Sequence, residues 1–345
     1  MTKILCVGDI HVMDRPPVNA TESYTDDIID MLHWVTNYAS KEHVDAVVWA
    51  GDIFHHKQPS RTSHALVLKM IEVVQRHTMP LYIVTGNHDI SNDVLASVHE
   101  KQPLGVLYAA GAKELVGWHP TLPLFGVPWQ QGWTTNEDAA WDAFEAWRED
   151  SRAGIHHVGT SDDKYRAKAL AVTHAPIYPP KEAEKQLFEL VPTMGEHGIS
   201  KAMGNMGYLY YGHIHEDHGI FEVEGVTYAN MGAISRGSLH EYNITRKIQV
   251  AVWSDGMSDG GLKNPFALGF TKINVPHKPA SEVFRIEEAA EAKAEKKNLD
   301  TFLAEVGSST LDISSTGSVI EHIKGRTDVS PRVKKKAVEI LEEVG

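Results

Sequence analysis

The chain has 345 residues, of which 42% are hydrophobic and 23% are charged, a composition that fits a globular protein with one large core and a small appendage. No apolar run could span a bilayer and residues 1–12 lack a signal-peptide cleavage pattern, so we expect a cytoplasmic protein that does not act on membranes. The net charge of −13 argues against a free-standing basic nucleic-acid binder, because such proteins neutralise phosphates with Lys and Arg. The single cysteine, Cys6, cannot form an internal disulfide.

The first third of the chain alternates predicted strands with predicted helices. Apolar runs at residues 4–7, 46–50 and 81–84 predict three strands. Apolar residues at helical spacing over 26–41 and 62–77 predict the two helices between them. Strand–helix–strand repeats of this length predict parallel pairing with right-handed crossovers.

The middle of the chain has shorter apolar runs. Runs at residues 115–116, 124–127, 170–173 and 208–211 predict further strands, and we expect antiparallel strands at 219–228, 242–244 and 248–253. A helix is expected at 137–149, where Trp141, Phe144 and Trp147 recur every three residues. These aromatic residues fit an insertion that packs on the core better than a platform that stacks a single-stranded substrate.

Turn residues at 264–265 and 276–279 predict a boundary. We therefore expect one domain over residues 1–279 and a helical tail over residues 280–345. The tail has predicted helices at 282–298, 319–323 and 331–344, with a Ser/Thr/Gly linker at 307–317. The last helix carries an apolar stripe, formed by Val333, Ala337, Ile340, Leu341 and Val344. A helix this short is marginal alone, so the stripe must pack on the chain's own core or on a partner protein.

Five of the predicted strands end at residues with metal-ligand side chains. These residues are Asp9 and His11, Asp52 and His55, Asn87 with His88 and Asp89, His174, and His213 with His215. The carboxyl ends of parallel strands gather at one edge of a sheet, and residues two apart in an extended segment point the same way. Nitrogen and oxygen donors around a shared carboxylate suit two divalent cations, which can activate water for attack on phosphorus. One such motif alone is typical of a structural histidine at a turn, whereas five in this order favour a metal centre.

The order of these motifs resembles that of the calcineurin-like metallophosphoesterase superfamily over residues 1–255. The resemblance implies an α/β fold of two packed mixed β-sheets flanked by helices, here with a small helical C-terminal extension. Two segments are also similar to the SbcD-like nuclease subunits of DNA-repair and recombination complexes, including related phage proteins. These segments are Gly-Asp-Ile-Phe-His at 51–55, followed by Pro-Ser at 59–60, and Gly-Ser-Leu at 237–239.

The resemblance also implies a role for each residue of the motifs. One metal would be held by Asp9, His11, Asp52 and His215, and the other by Asp52, Asn87, His174 and His213. His88 would donate a proton or stabilise the transition state, His55 would contact the substrate phosphate, and Asp89 would orient His88. Manganese is the usual activating metal in the family, with magnesium or another transition metal as the alternative.

The resemblance further implies DNA as the substrate and an SMC-like, SbcC-type ATPase as a partner that binds the C-terminal helices. It leaves open a homodimer and the balance between exonuclease and endonuclease activity. Residues 280–345 leave little room for the capping domain of larger members. A small-molecule phosphodiesterase or phosphatase, for example one that acts on cyclic nucleotides, is the alternative that suits the acidic chain. A non-catalytic scaffold is a third reading, but it would have lost ligands, and none of the motif residues is missing.

Overall fold

The computed structural model describes residues 1–91, 97–129, 169–179, 206–256, 268–308, 316–325, 327 and 331–344. The chain forms two compact units, Met1–Val283 and Phe284–Gly345. The helix predicted at 137–149 and the turn predicted at 264–265 lie outside the described residues, and so do residues 309–315 of the predicted linker. The first unit carries the sheets and the second unit is helical.

The strands of the first unit are β1 Lys3–Val7, β2 Ala46–Trp49, β3 Leu81–Ile83, β4 Lys113–Glu114, β5 Gly117–Trp118, β6 Leu124–Val127, β7 Leu170–His174, β8 Tyr208–Gly212, β9 Gly219–Val223, β10 Val226–Asn230, β11 Gln249–Ser254 and β12 Gly269–Asn274. Its helices are α1 Tyr24–Lys41, α2 His64–Gln75, α3 Ser97–Lys101, α4 Pro103–Ala109, α5 Glu241–Thr245 and α6 Ala280–Val283. The second unit contains α7 Ile286–Ser308, α8 Thr316–Gly325 and α9 Pro331–Val344.

The strands form two mixed sheets of six strands each, in the orders β12-β11-β1-β2-β3-β4 and β5-β6-β7-β8-β10-β9. The parallel pairing predicted for the first three strands is confirmed, since β2 runs parallel to both β1 and β3. In the second sheet β6, β7 and β8 are also parallel neighbours. The predicted α/β fold of two mixed sheets flanked by helices is therefore confirmed.

The core of the first unit lies between the two sheets. Side chains of the first sheet, such as Cys6, Val48 and Trp253, share one buried cluster with Val172 and Tyr210 of the second sheet. Because helices cover the other face of the first sheet, β1 and β2 are buried on both faces, which explains why they appear in the sequence as short continuous apolar runs. This packing fixes the strand ends, and with them the loops that follow.

Two of the predicted antiparallel strands were wrong in detail. The single strand predicted at 219–228 is a hairpin of β9 and β10, and it turns at Glu224 and Gly225, which both have positive φ angles of 51° and 79°. The strand predicted at 242–244 is instead helix α5. The side chain of His240 accepts the N–H of Tyr242, and the N–H of Ile244 reaches His240 O at 3.1 Å. This capped turn outweighs the β propensity of so short an apolar run.

The helix predicted at 282–298 was also wrong at its start. The structure ends α6 at Val283, whose carbonyl accepts the N–H of Thr21 at 2.8 Å, and it begins the long α7 at Ile286. In the second unit α9 packs against α7 and α8. Val333 and Ala337 of the predicted apolar stripe are buried. Within the described ranges, no helix combines the length and the apolar character that crossing a bilayer requires.

Candidate metal centre

The loops that follow five strands meet where the two sheets pack together. The first sheet contributes the loops after β1, β2 and β3, and the second contributes the end of β7 and the loop after β8. Close approach of these loops requires glycine at Gly51, whose φ is +99° and whose missing Cβ would overlap the His174 ring. The strand-end motifs of the sequence are therefore brought together across both sheets.

Asp52 lies at the centre of this cluster. Its Oδ2 is 3.3 Å from His11 Nε2 on one side and 3.3 Å from His174 Nε2 on the other. Its Oδ1 accepts the backbone N–H of His88 at 2.8 Å. One carboxylate oxygen thus faces donor nitrogens from both sheets, which is the position that a bridging ligand would occupy.

The donor atoms of Asp9, His11, Asp52 and His215 all lie within 4.8 Å of one another. His11 Nε2 and His215 Nε2 are 2.8 Å apart, and Asp9 Oδ2 is 3.5 Å from His215 Nε2. Asp9 Oδ2 is buried without a hydrogen-bond donor in the part of the chain that the structure describes. A buried carboxylate oxygen that faces an imidazole nitrogen, with no donor of its own, fits a cation in this position.

Asn87 gathers a second set of donors. Its Oδ1 lies 2.9 Å from His174 Nε2 and 3.0 Å from His213 Nδ1. His174 Nδ1 donates to Ala50 O at 2.7 Å, so that His174 Nε2 is left to face Asn87 and Asp52. Fixing the tautomer of a histidine through its other nitrogen is the usual arrangement for a metal-binding imidazole.

His88 and His55 lie at the rim of the cluster. His88 Nδ1 donates to the His55 carbonyl oxygen at 2.6 Å, which leaves His88 Nε2 as the nitrogen that can exchange a proton with a substrate. The two rings stack with their centroids 5.5 Å apart. Donor atoms of His11, His55 and His88 also lie within 4.8 Å of one another, so distance alone does not separate catalytic from ligand roles here.

Asp89 has partners that differ from the expected ones. Its carboxylate accepts the backbone N–H groups of Ile53 and Gly86, each at 3.0 Å. It therefore holds the turn that carries His88, and the His88 ring is held by the His55 carbonyl instead. Burial, reinforced by the nearby Asp52 carboxylate, raises the pKa of Asp89 to about 7.

The electrostatics of the cluster fit a divalent cation. Burial disfavours the charged form of both Asp9 and Asp52, and it raises the pKa of Asp9. At Asp52 the effect of burial is outweighed by His174 and His11, which hold the pKa of that carboxyl well below its usual range. Burial lowers the pKa of His174, but the two carboxylates outweigh it and raise that pKa to about 9. The ion-pair partners that the described residues offer Asp9 and Asp52 are all histidines, so metal ions could supply the missing positive charge.

Backbone strain is concentrated in the same cluster. His11, Asp52 and His213 have positive φ angles of 49°, 50° and 81°. Residues other than glycine rarely adopt positive φ angles, and those that do tend to occur where function fixes their orientation. All three were expected from the sequence to be ligands.

Sequence reasoning missed Trp129. Its ring packs against His213 with centroids 4.8 Å apart and lies 6.0 Å from the His174 ring. Trp129 comes two residues after the end of β6, so the strand-end rule that found the histidines could also have found it. It was passed over because an indole is not a metal-ligand side chain.

Comparisons with known proteins identify the family to which the chain is similar. Residues 2–217 match the model of the family described as calcineurin-like phosphoesterase. The chain is 24% identical over 230 residues to the DNA double-strand break repair protein Mre11 of Archaeoglobus fulgidus, a match that covers 66% of this chain and 49% of that protein. The protein of the same name from Halobacterium salinarum is 30% identical over 93 residues, which cover 27% of this chain and 24% of that one.

Among solved structures, TT1561 of Thermus thermophilus aligns with a TM-score of 0.46 and 11% identity, over 80% of this chain and 99% of that one. The chain spans about half the length of the Archaeoglobus relative. The family model covers well over half of the chain, and it includes the whole of the donor cluster from Asp9 to His215. The chain therefore belongs to the calcineurin-like phosphoesterase family of metal-dependent phosphoesterases.

Proposed function

We propose that this chain hydrolyses phosphodiester bonds with two bound divalent ions and acts on DNA as a nuclease. The observation that carries the proposal is the position of Asp52, whose Oδ2 lies 3.3 Å from a histidine nitrogen of each donor set. A shared carboxylate between two nitrogen-containing sets is what a two-metal hydrolase needs. Mixed nitrogen and oxygen donors suit Mn²⁺, the metal that we propose.

The chain's own residues divide into two ligand sets in this proposal. Asp9, His11, Asp52 and His215 would hold one ion, while Asp52, Asn87, His174 and His213 would hold the other. Two divalent ions held in this way would supply an activated water molecule and positive charge opposite the phosphate. His88 exchanges a proton with the leaving oxygen through Nε2, because its Nδ1 is occupied by the His55 carbonyl. His55 contacts a phosphate oxygen, and Asp89 keeps the turn at His88 in place.

DNA is proposed as the substrate because the matched relatives are named as DNA double-strand break repair proteins. The acidic net charge of −13 favours the alternative, a phosphodiesterase or phosphatase for small molecules such as cyclic nucleotides. A partner protein that contributes basic surface would reconcile the charge with DNA as substrate. The two candidates differ in the substrate that is cleaved most efficiently.

A substrate comparison with Mn²⁺ separates these candidates. Linear double-stranded DNA, single-stranded DNA, bis-p-nitrophenyl phosphate and 2′,3′-cyclic AMP are each incubated with the purified chain, and Asp52→Asn serves as the control for contaminating nucleases. We expect Mn²⁺-dependent cleavage of the diester and of DNA, with cyclic AMP cleaved at least roughly tenfold less efficiently by kcat/KM. A preference for cyclic AMP over DNA would contradict the nuclease proposal and support the alternative.

An SMC-like ATPase is proposed as the partner of the helical unit. Between α7 and α9 that unit has a groove of about 430 Å³, lined by Ala292, Glu295, Lys296, Arg332, Val333, Lys335, Lys336 and Glu339. Glu295 pairs with Arg332 at 3.1 Å and Glu339 pairs with Lys336 at 3.2 Å. Lys335 is an exposed member of this lining. An amphipathic segment of the partner could dock into such a groove.

Deletion of residues 315–345 tests the partner proposal. The truncated chain is expected to keep Mn²⁺-dependent hydrolysis of bis-p-nitrophenyl phosphate, because the donor cluster lies within the first unit. It should lose co-purification with the ATPase and ATP-stimulated digestion of DNA. Lys335→Glu in the full chain is the milder variant, and exposed Lys69→Glu on α2 is its matched control. Joint loss of solubility and diester activity on truncation would show that the tail belongs to the core.

A further inference from the structure

A segment outside the ligand sets touches the donor cluster through its backbone. This segment, residues 232–236, follows β10 and begins the Gly-Ala-Ile-Ser-Arg-Gly-Ser-Leu stretch of the sequence. The N–H of Ala233 donates to His215 O at 3.1 Å, and the N–H of Ile234 donates to Asp9 O at 2.7 Å. Two successive backbone donors thus hold the main chain of two residues whose side chains belong to the same ligand set.

The contact between this segment and the two ligand loops is close. A Cβ at Gly8 would overlap the carbonyl oxygen of Gly232, and a Cβ at Gly232 would lie 2.6 Å from His215 O. Gly232 also has a φ of +70°, which disfavours other residues there. Both loops therefore follow any shift of the 232–236 backbone, because there is no space to absorb it.

The side chain that holds the segment is Arg246. Its Nη2 donates to Ala233 O at 2.7 Å and to Ser235 O at 2.6 Å, and its Nε donates to Asn243 Oδ1 at 3.1 Å. The planar guanidinium thereby fixes two carbonyls that flank Ile234, the residue that donates to Asp9. Arg246 itself touches no member of either ligand set among the contacts of the described residues.

The far end of the segment is anchored to α1. Arg236 pairs with Asp27 of α1 at 3.0 Å, and both side chains are buried. The N–H of Gly237 donates to the hydroxyl of Tyr24 at 3.0 Å. The segment is therefore held at one end by a helix, and the two ligand loops are attached at residues 233 and 234, within the stretch whose carbonyls Arg246 binds.

The other ligand set has further contacts of its own, although the backbone N–H of His213 donates to Asp9 Oδ1 at 3.0 Å. Asn87 Oδ1 meets His174 and His213 directly, and the His174 ring donates to Ala50 O. A shift of the 232–236 backbone therefore displaces mainly the ligands of the set that contains Asp9 and His215. Because Asp52 belongs to both sets and His213 is bonded to Asp9, we expect the affinity for the other ion to change as well, but by less.

We propose that Arg246 is a positioning residue. By fixing the 233–235 backbone, it sets the affinity for the ion that is held by Asp9, His11, Asp52 and His215. The inference rests on the proposed two-metal function. Removal of a group that orients metal ligands typically weakens metal binding by 10–100-fold. Loss of Arg246 should thus weaken one of the two ions selectively, whereas a merely structural role would lower the stability of the fold without discriminating between ions.

Metal binding to Arg246→Met and Arg246→Lys tests this inference. Mn²⁺ affinities of the metal-free proteins are measured by equilibrium dialysis, and the thermal midpoint of each metal-free protein is recorded. In Arg246→Met we expect one ion to bind roughly 10–100-fold more weakly and the other to change by less than about threefold. Arg246→Lys should lie between this variant and the wild type, because its ammonium group can still donate to a carbonyl but loses the Nε bond to Asn243 that orients the guanidinium. Arg76→Met, at the exposed residue that follows α2, is the matched control and should bind both ions like the wild type.

Two backgrounds identify the ion that is affected. In Asn87→Ala, which should retain the ion of the Asp9 set, the added Arg246→Met change is expected to weaken binding of the remaining ion by roughly tenfold or more. In His11→Ala, which should retain the other ion, the same change should alter affinity by less than about threefold. If the wild type binds two ions, an equal loss of affinity in both backgrounds, or no loss in either, would overturn the positioning role. A wild-type chain that binds only one ion would instead contradict the proposed function itself.

Discussion

Asp52→Asn is expected to lower kcat for bis-p-nitrophenyl phosphate by roughly 10³-fold or more, because this carboxylate serves both ligand sets. Metal ions contribute several kcal/mol to the stabilisation of a phosphoryl-transfer transition state, and each 1.36 kcal/mol corresponds to about a factor of ten. The asparagine keeps the shape of the side chain but removes the negative charge that His11 and His174 face at 3.3 Å. The measurement is a steady-state assay with Mn²⁺ in excess, accompanied by metal analysis.

The matched control for this variant is Asp26→Asn, which makes the same chemical change at an exposed carboxylate paired with Lys69. It should retain wild-type kcat and metal content, since exposed ion pairs contribute little. Asp52→Asn should bind fewer than two ions per chain under the same conditions. If Asp52→Asn retained the wild-type kcat, the carboxylate of Asp52 would not be required for catalysis.

His88→Ala is expected to lower kcat by roughly 10²–10⁴-fold, the range for a positioned acid or base, while metal content stays near that of the wild type. The physical reason is the tautomer of the ring, whose Nδ1 donates to the His55 carbonyl at 2.6 Å, so that Nε2 is the nitrogen left for proton exchange. Free imidazole in the assay should restore part of the rate, because it can fill the space and exchange the same proton. A diester with a better leaving group should lose less activity than a poor one, since it needs less protonation.

Metal analysis is needed to distinguish a proton-transfer role from a ligand role, because donor atoms of His88 lie close enough to those of His11 and His55 to share an ion. His99→Ala, at an exposed histidine that pairs with Glu114, is the control for histidine removal in general. If His88→Ala lost an ion together with its activity, His88 would be a ligand and the proton-transfer role would be wrong.

The sequence predicted the elements whose formation depends mainly on the burial of apolar side chains. The buried strands β1, β2 and β3 appear as apolar runs because both of their faces are covered, and helix α1 shows its buried face as apolar residues at helical spacing. The prediction failed at 242–244, where a local cap by His240 decided the structure. It also failed at the β9–β10 hairpin, where a turn at Glu224-Gly225 divides the apolar alternation.

The donor residues of the site could be predicted because they follow strands whose ends must meet. The roles assigned to them are still predictions that rest on the family resemblance and on distances. Arg246 could not be found in this way, because it acts through carbonyl groups of residues 233 and 235, and a sequence does not show which backbone atoms a side chain reaches. Trp129 follows a strand end like the donor residues, but it was missed because an indole is not a metal-ligand side chain.

The central claim is that two divalent ions, held by ligand sets that share Asp52, would both be required for hydrolysis. The most direct test is a titration of the metal-free chain with Mn²⁺, in which bound ions per chain and the initial rate of diester hydrolysis are measured in the same samples. We expect the rate to stay low up to one equivalent, to rise between one and two equivalents, and to reach its plateau at two. A plateau at one equivalent, with the second ion adding nothing to the rate, would contradict it.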